Sequence, residues 1–246
     1  MGTGSVPGGS GRRMAWVALV VCGAAVLASA VPAGASGTSA KVKTEEAEAK
    51  QALIVHSDFP LGWSVQGSVT TSDSTGGSAN FPGGDQLIGC LGLSHYLANL
   101  ATPTANSPTF STKQGLDTVQ ESVNIFPSTK VAGEARAVIS SSKVPGCMTT
   151  AFQGPAKQSI ANSAGQGASV GTITVAVANP AQLIPHASGF TISVPITDHR
   201  VSLNTHVDIV SIFKGSSDNQ FVFTSVGQAF PTSLERHLES VAYGRT

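Results

Sequence analysis

Between residues 201 and 213 apolar and polar side chains alternate with a period of two. Val201, Leu203, Val207, Ile209 and Phe213 share one side, and Ser202, Asn204, His206 and Asp208 share the other. That period belongs to a strand with one buried face. The same alternation recurs in 118–126, where Val119, Val123 and Ile125 oppose Gln120, Ser122 and Asn124, and in 191–196 through Ile192, Val194 and Ile196. Residues 170–178 are apolar on both sides. The stretch 221–226 follows the turn residues Lys214-Gly215-Ser216-Ser217-Asp218, so it is expected to pair back on the long strand.

Helical spacing fills the gaps between these strands. Thr44 is placed to cap a helix whose first turn carries Glu45, Glu46 and Glu48, and Pro60 requires that helix to stop near Ser57 or Asp58. A short apolar helix is expected over 86–100. Another, capped by Ser128, puts Val131, Ala135, Val138 and Ile139 on one face, and Pro145-Gly146 delivers Cys147 to the start of a further helix through Ala151. Pro231-Thr232 opens a closing helix with a capping box from Thr232 to Glu235 and a stripe of Leu234, Leu238 and Val241. Residues 68–84 and 101–111 carry little to bury and read as loop and connection. The order of elements predicts an α+β fold, an antiparallel β-sheet with helices packed against it.

The N-terminus changes the picture most. Arg12 and Arg13, the apolar run 14–30 and Ala33-Gly34-Ala35 have the layout of a secretory signal peptide, with cleavage expected after Ala35 and an alternative after Ala30. Retained instead of cleaved, residues 14–35 are long enough to anchor the chain. The expected organisation is therefore a signal peptide over 1–35, a linker and the start of the first helix over 36–50, and one α+β domain over 51–246. Removing 1–35 takes away two of the 14 basic residues and none of the 14 acidic ones, which leaves a net charge of about −2. A chain so sparsely charged lacks the basic stripe that nucleic acid requires, and membrane contact is expected only through the N-terminal segment if it is uncleaved.

Past the leader only Cys90 and Cys147 remain. In an oxidising compartment such a pair is most simply a disulfide, here closing a loop of roughly 57 residues. The rival reading, a redox or metal pair, wants a Cys-x-x-Cys or a Cys/His cluster at short spacing, and neither cysteine has one.

Gly165-Gln166-Gly167 has neither the strand nor the helix of a phosphate loop. The densest ionisable group on the strands is His199, Arg200, His206 and Asp208. His206 and Asp208, two apart on a strand, face the same side and with Arg200 form the candidate ligand-binding set. The competing reading is a solvated polar face opposite the apolar one. No third metal ligand is nominated, and no cofactor is expected.

Several short features in order resemble the PknH-like extracellular sensor domains of actinobacteria. They are Asp58-Phe59-Pro60-Leu61-Gly62-Trp63 after a helix, Cys90-Leu91-Gly92, Ser107-Pro108-Thr109-Phe110, Val123-Asn124-Ile125-Phe126-Pro127-Ser128 before an Ala-rich helix, Cys147, and Lys214-Gly215 before the terminal helix. The resemblance spans most of 50–246 and implies a PsbP-like α+β fold and a non-catalytic module that binds through a cleft. It differs from the kinase-linked domains, which carry a second disulfide. The expected function is that of a secreted or cell-surface ligand-binding domain of the bacterial envelope, a stand-alone member. Its partner is a small molecule, an envelope glycan or lipid, or a protein. The alternative is a small extracytoplasmic hydrolase acting on envelope esters, peptides or glycans through His206 and Asp208.

Overall fold

The long alternating stretch becomes the central strand β9 (Val201–Lys214) of a ten-stranded antiparallel sheet. The computed structural model describes residues 40–72, 82–93, 102–164, 167–178, 184–198 and 201–246. Strand β10 (Ser217–Val226) returns on β9 through a two-residue turn in which Gly215 adopts φ 62, and Ser217 pairs with Lys214. On the other side β8 (Ala187–Asp198) pairs with β9 over its full length. The sheet then runs β1 (Trp63–Gln66), β4 (Thr109–Thr112), β5 (Asp117–Ile125), β10, β9, β8, β6 (Ala168–Val170). Strand β3 (Thr104–Asn106) pairs with both β2 (Thr70–Ser72) and β5, and β7 (Thr174–Ala178) continues along β8 beyond β6.

The two faces are covered by different helices. On one face α2 (Gly84–Leu91), α4 (Val144–Ala151) and α5 (Lys157–Ala164) pack on Phe190, Ile192, Val194 and Ile196 of β8 and on Val207 and Ile209 of β9. The other face carries α1 (Ala40–Ala52), whose Ala49 and Ala52 pack with Leu53 on Val123 and Ile125, and α6 (Thr232–Arg245). Beneath α6 lies an aromatic core of Phe110, Phe221, Phe223 and Phe230, with Phe59 stacked on Phe110 at 4.4 Å. Each of these rings contributes about 1.5–3 kcal/mol by leaving water. Helix α3 (Thr129–Ile139) is capped as expected, Val131 N–H donating to Ser128 Oγ at 3.3 Å, and seats Val131 and Ala132 against Phe126 and Phe213.

Cys90 of α2 and Cys147 of α4 are joined in a disulfide with Cα atoms 5.6 Å apart. It ties two helices together over one face of the sheet, which is the α+β arrangement the pattern predicted.

Several expectations need correction. The first helix starts at Ala40, within the expected linker, and Thr44 lies inside it, bonded back to Ala40 O instead of capping it. That helix ends at Ala52, and His56–Asp58 is a separate single turn. The expected short helix 86–100 begins at Gly84 and ends at Leu91, where Gly92 takes φ 61; residues 94–100 lie outside the described residues. The supposed loop 68–84 contains β2, and the supposed connection 101–111 contains β3 and most of β4. The double-sided run 170–178 breaks at residues 171–173, where Gly171 N–H donates to Pro195 O at 2.8 Å and an added Cβ would meet the Pro195 ring at 3.2 Å. Helix α6 has Pro231 at its cap with no side-chain cap, so the box from Thr232 to Glu235 does not form. The expected leader lies outside the described residues, and among those described no helix is long and apolar enough to cross a membrane.

Candidate functional site

Strand β9 is polar and then apolar along one face: Asn204, His206 and Asp208 lead into Val210 and Ile212, which belong to the aromatic core. Helix α6 must cover that apolar end. Its sheet-facing positions follow the i, i+3, i+4, i+7 spacing of one helical stripe, Glu235, Leu238, Glu239 and Ala242. Leu238 and Ala242 sit on the phenylalanines, fully buried. Glu235 and Glu239 are thereby carried to the polar end of the same face.

A cleft of about 250 Å3 opens at that boundary. His206 and Asp208 line it from the sheet, Glu235, Arg236 and Glu239 from α6, with Phe230 beside them. The face expected to be simply wet is thus roofed by a helix, and His206 and Asp208 are both half-buried. Two of the three predicted ligand-binding residues meet in this cleft. Arg200 lies outside the described residues.

Neighbouring bonds hold the sheet side in place. Thr191 Oγ1 of β8 donates to Asp208 Oδ1 at 2.5 Å. Asn204 is bonded to Ser193 and sits 3.0 Å from His206 Nε2, through which it can fix the imidazole's orientation.

The electrostatics are dominated by crowded acid. Burial raises the Asp208 carboxyl above its usual range, while the Thr191 hydroxyl and the His206 ring pull it back. Burial, helped by the adjacent Asp208 charge and opposed by Arg236, pushes Glu235 up to about 7. Burial and the Glu235 charge push Glu239 up to about 8, Asp208 adding to the rise and Arg236 opposing it. Glu239 has 0% exposure, and among the described residues neither carboxylate oxygen has a hydrogen-bond partner. Among the described residues no three acidic, histidine or cysteine side chains are grouped closely enough to hold a metal ion.

Glu235, Arg236, Glu239 and Thr191 were missed in the sequence. The signal was present in the stripe itself, since two glutamates interleave with Leu238 and Ala242 at helical spacing.

No protein-family model and no curated protein matches this chain. Among solved structures, the extracellular domain of PknH from Mycobacterium tuberculosis aligns at 12% identity and a TM-score of 0.37, the alignment covering 80% of this chain and 95% of that one. An uncharacterised protein (Rv0999 ortholog) from Mycobacterium smegmatis aligns at 12% identity and a TM-score of 0.40, covering 81% and 95%.

Proposed function

We propose that the protein is an extracytoplasmic, non-catalytic ligand-binding domain of the bacterial envelope, a PknH-like sensor domain whose ligand enters the cleft between β9 and α6. The observation that carries this reading is the cleft itself: a concave site on a rigid sheet and a packed helix, with a few converging polar groups beside an aromatic wall. The Cys90–Cys147 bridge supports an oxidising compartment, as does the leader-like sequence of residues 1–35. Among the described lining residues there is no serine or cysteine for His206 to activate; the hydroxyls are those of Thr191, which is committed to Asp208, and Thr232 at the start of α6.

The test is thermal unfolding of the wild type and of Ala229→Trp, which fills the mouth of the cleft from an exposed loop position. The panel comprises muropeptides, oligosaccharides, phospholipid micelles and amino compounds. A ligand at 100 times its Kd adds about 2.7 kcal/mol, enough to be seen as a raised Tm. Stabilisation present in the wild type and lost in Ala229→Trp is expected; a panel that stabilises neither protein, or both equally, removes the reading.

One observation favours the hydrolase alternative, the gathering of Asp208 with two protonatable glutamates in a single cleft, as paired carboxyls are used in glycoside cleavage. Turnover of an oligosaccharide, abolished by both Asp208→Asn and Glu235→Gln, is the result that would put catalysis ahead of binding.

A further inference from the structure

Glu239 occupies an unusual position for a carboxyl group. It lines the cleft on the buried side of α6, is fully enclosed, and among the described residues finds no donor or acceptor for either oxygen. Buried polar atoms in folded proteins are nearly always satisfied, and an orphan is a sign that something belongs beside it. The groups facing it are Glu235 and Arg236 from its own helix and His206 and Asp208 from β9, and Thr191 of β8 is turned to Asp208. Arg236 is exposed and attracts the glutamates without bonding Glu239. Among the described residues the cleft therefore holds three acids and no cation bonded to Glu239.

Building on the cleft as the ligand site, we infer that its ligand is a small monocationic amine whose ammonium group lies between Glu239 and Glu235, with its apolar part against Phe230. The orphan carboxyl of Glu239, enclosed at the wall of a cleft also lined by Glu235 and Asp208, supplies the counter-charge. An ammonium donates up to three hydrogen bonds and accepts none, which suits the oxygens of an ionised glutamate pair.

Size and lining narrow the class. A cleft of about 250 Å3 is several times a water's share of about 30 Å3, so it admits a molecule of several heavy atoms, not a bare ion. The lack of a three-residue metal group among the described residues points the same way. Arg236 places a positive charge in the lining, which disfavours a second cationic centre on the ligand and selects against polyamines.

Binding one ammonium favours one ionised carboxylate, so a proton held between Glu235 and Glu239 must leave as the amine arrives. The experiment is titration calorimetry of the full, oxidised chain with phenethylamine, n-butylamine, the neutral phenethyl alcohol, and calcium chloride. It is run at pH 6, 7 and 8 in buffers of different ionisation enthalpy. The expected result is one amine per chain, no binding of the alcohol, and release of close to one proton per amine at pH 7. Affinity should rise with pH, by up to about tenfold per unit below pH 8. Glu239→Gln, close in shape, should weaken amine binding at least tenfold and remove most of the proton release. Glu235→Gln, at a more exposed position, should weaken it several-fold and stands in if the first variant folds poorly.

The inference falls if amines do not bind, if they bind without proton release and unchanged in both variants, or if calcium binds in a Glu239-dependent manner. Should amines fail while an oligosaccharide or lipid stabilises the wild type and not Ala229→Trp, the cleft remains the site and only the cation is wrong. Should nothing bind, both are wrong.

Discussion

Glu121 shows how a single buried acid is held in this molecule. It is 1% exposed, and its two oxygens accept from Ile54 N–H at 2.5 Å and from Asn219 Nδ2 at 3.2 Å. Burial nevertheless pushes its carboxyl up to about 8, against the pull of the Ile54 N–H, Arg245 and the Asn219 amide, so at neutral pH it is mostly the uncharged acid. Arg245 is engaged elsewhere, bonding Leu53 O at 2.7 Å and both oxygens of Asp58. What Glu121 supplies is therefore two acceptors, not a charge. Glu121→Gln keeps an acceptor for Ile54, and its new amide donor can meet Asn219 Oδ1, which is unpartnered. It should lie within about 1 kcal/mol of wild type at pH 7, whereas Glu121→Leu leaves two buried donors without partners and should cost about 2–4 kcal/mol. Denaturant unfolding of both variants at pH 7 decides it; equal stability would show that the acceptors contribute nothing.

At the scale of elements, the helices α2 and α4 depend on each other. Gly83, just before α2, adopts φ 102, and a Cβ there would lie 2.6 Å from Ala151 O at the end of α4, so the backbones approach as closely as glycine allows. The disulfide closes the same pair across 57 residues of sequence. On the loop-entropy account its loss removes about 4 kcal/mol. The double variant Cys90→Ser, Cys147→Ser should show that deficit in denaturant unfolding, while butylamine or any other cleft ligand should bind it unchanged, because the bridge lies on the face opposite α6. A lost cleft would mean that the two faces are coupled through the sheet. Long alternating strands and the Ser128 cap were legible in the sequence because their periodicity and local chemistry are self-contained. Strands β2, β3 and β4 were not: each is three or four residues long, and their pairing with one another, with β1 and with β5 is a long-range fact. The site was half legible for the same reason. His206 and Asp208 share a strand, but Glu235 and Glu239 join them only because Leu238 and Ala242 bury the stripe they occupy.

For the whole molecule, the consequence of these buried acids is a stability that falls as pH rises. Four carboxyls, Glu121, Asp218 and Glu239 fully buried and Glu235 partly so, are raised to about 8, 8, 8 and 7 from ordinary values of 4.5 for glutamate and 3.8 for aspartate. In the unfolded chain they ionise near those ordinary values. Below about pH 4 both states hold the protons, and no difference arises. Between pH 4 and 8 the unfolded state has lost protons that the folded state keeps, so each step upward favours unfolding until the folded pKa is passed. Glu235 and Glu239 titrate as a coupled pair, while Asp218 lies on the other side of the sheet, opposite Phe213 and Asn124 in the strand register. Its two oxygens lack bonds of hydrogen-bonding geometry even though the Asn124 amide lies beside it and lowers its pKa slightly, so it should add independently. Denaturant unfolding at intervals from pH 4.5 to 8.5 should show highest stability at the acid end and a loss on the order of a few kcal/mol per buried acid by pH 8.5. Glu239→Gln and Asp218→Asn should each flatten the curve, and the pair together more than either, with little change near pH 4.5 where all the groups are already neutral. A wild-type curve that is level or climbs toward pH 8 would mean that these carboxyls ionise in the folded protein at ordinary values, and that water or a bound cation reaches them.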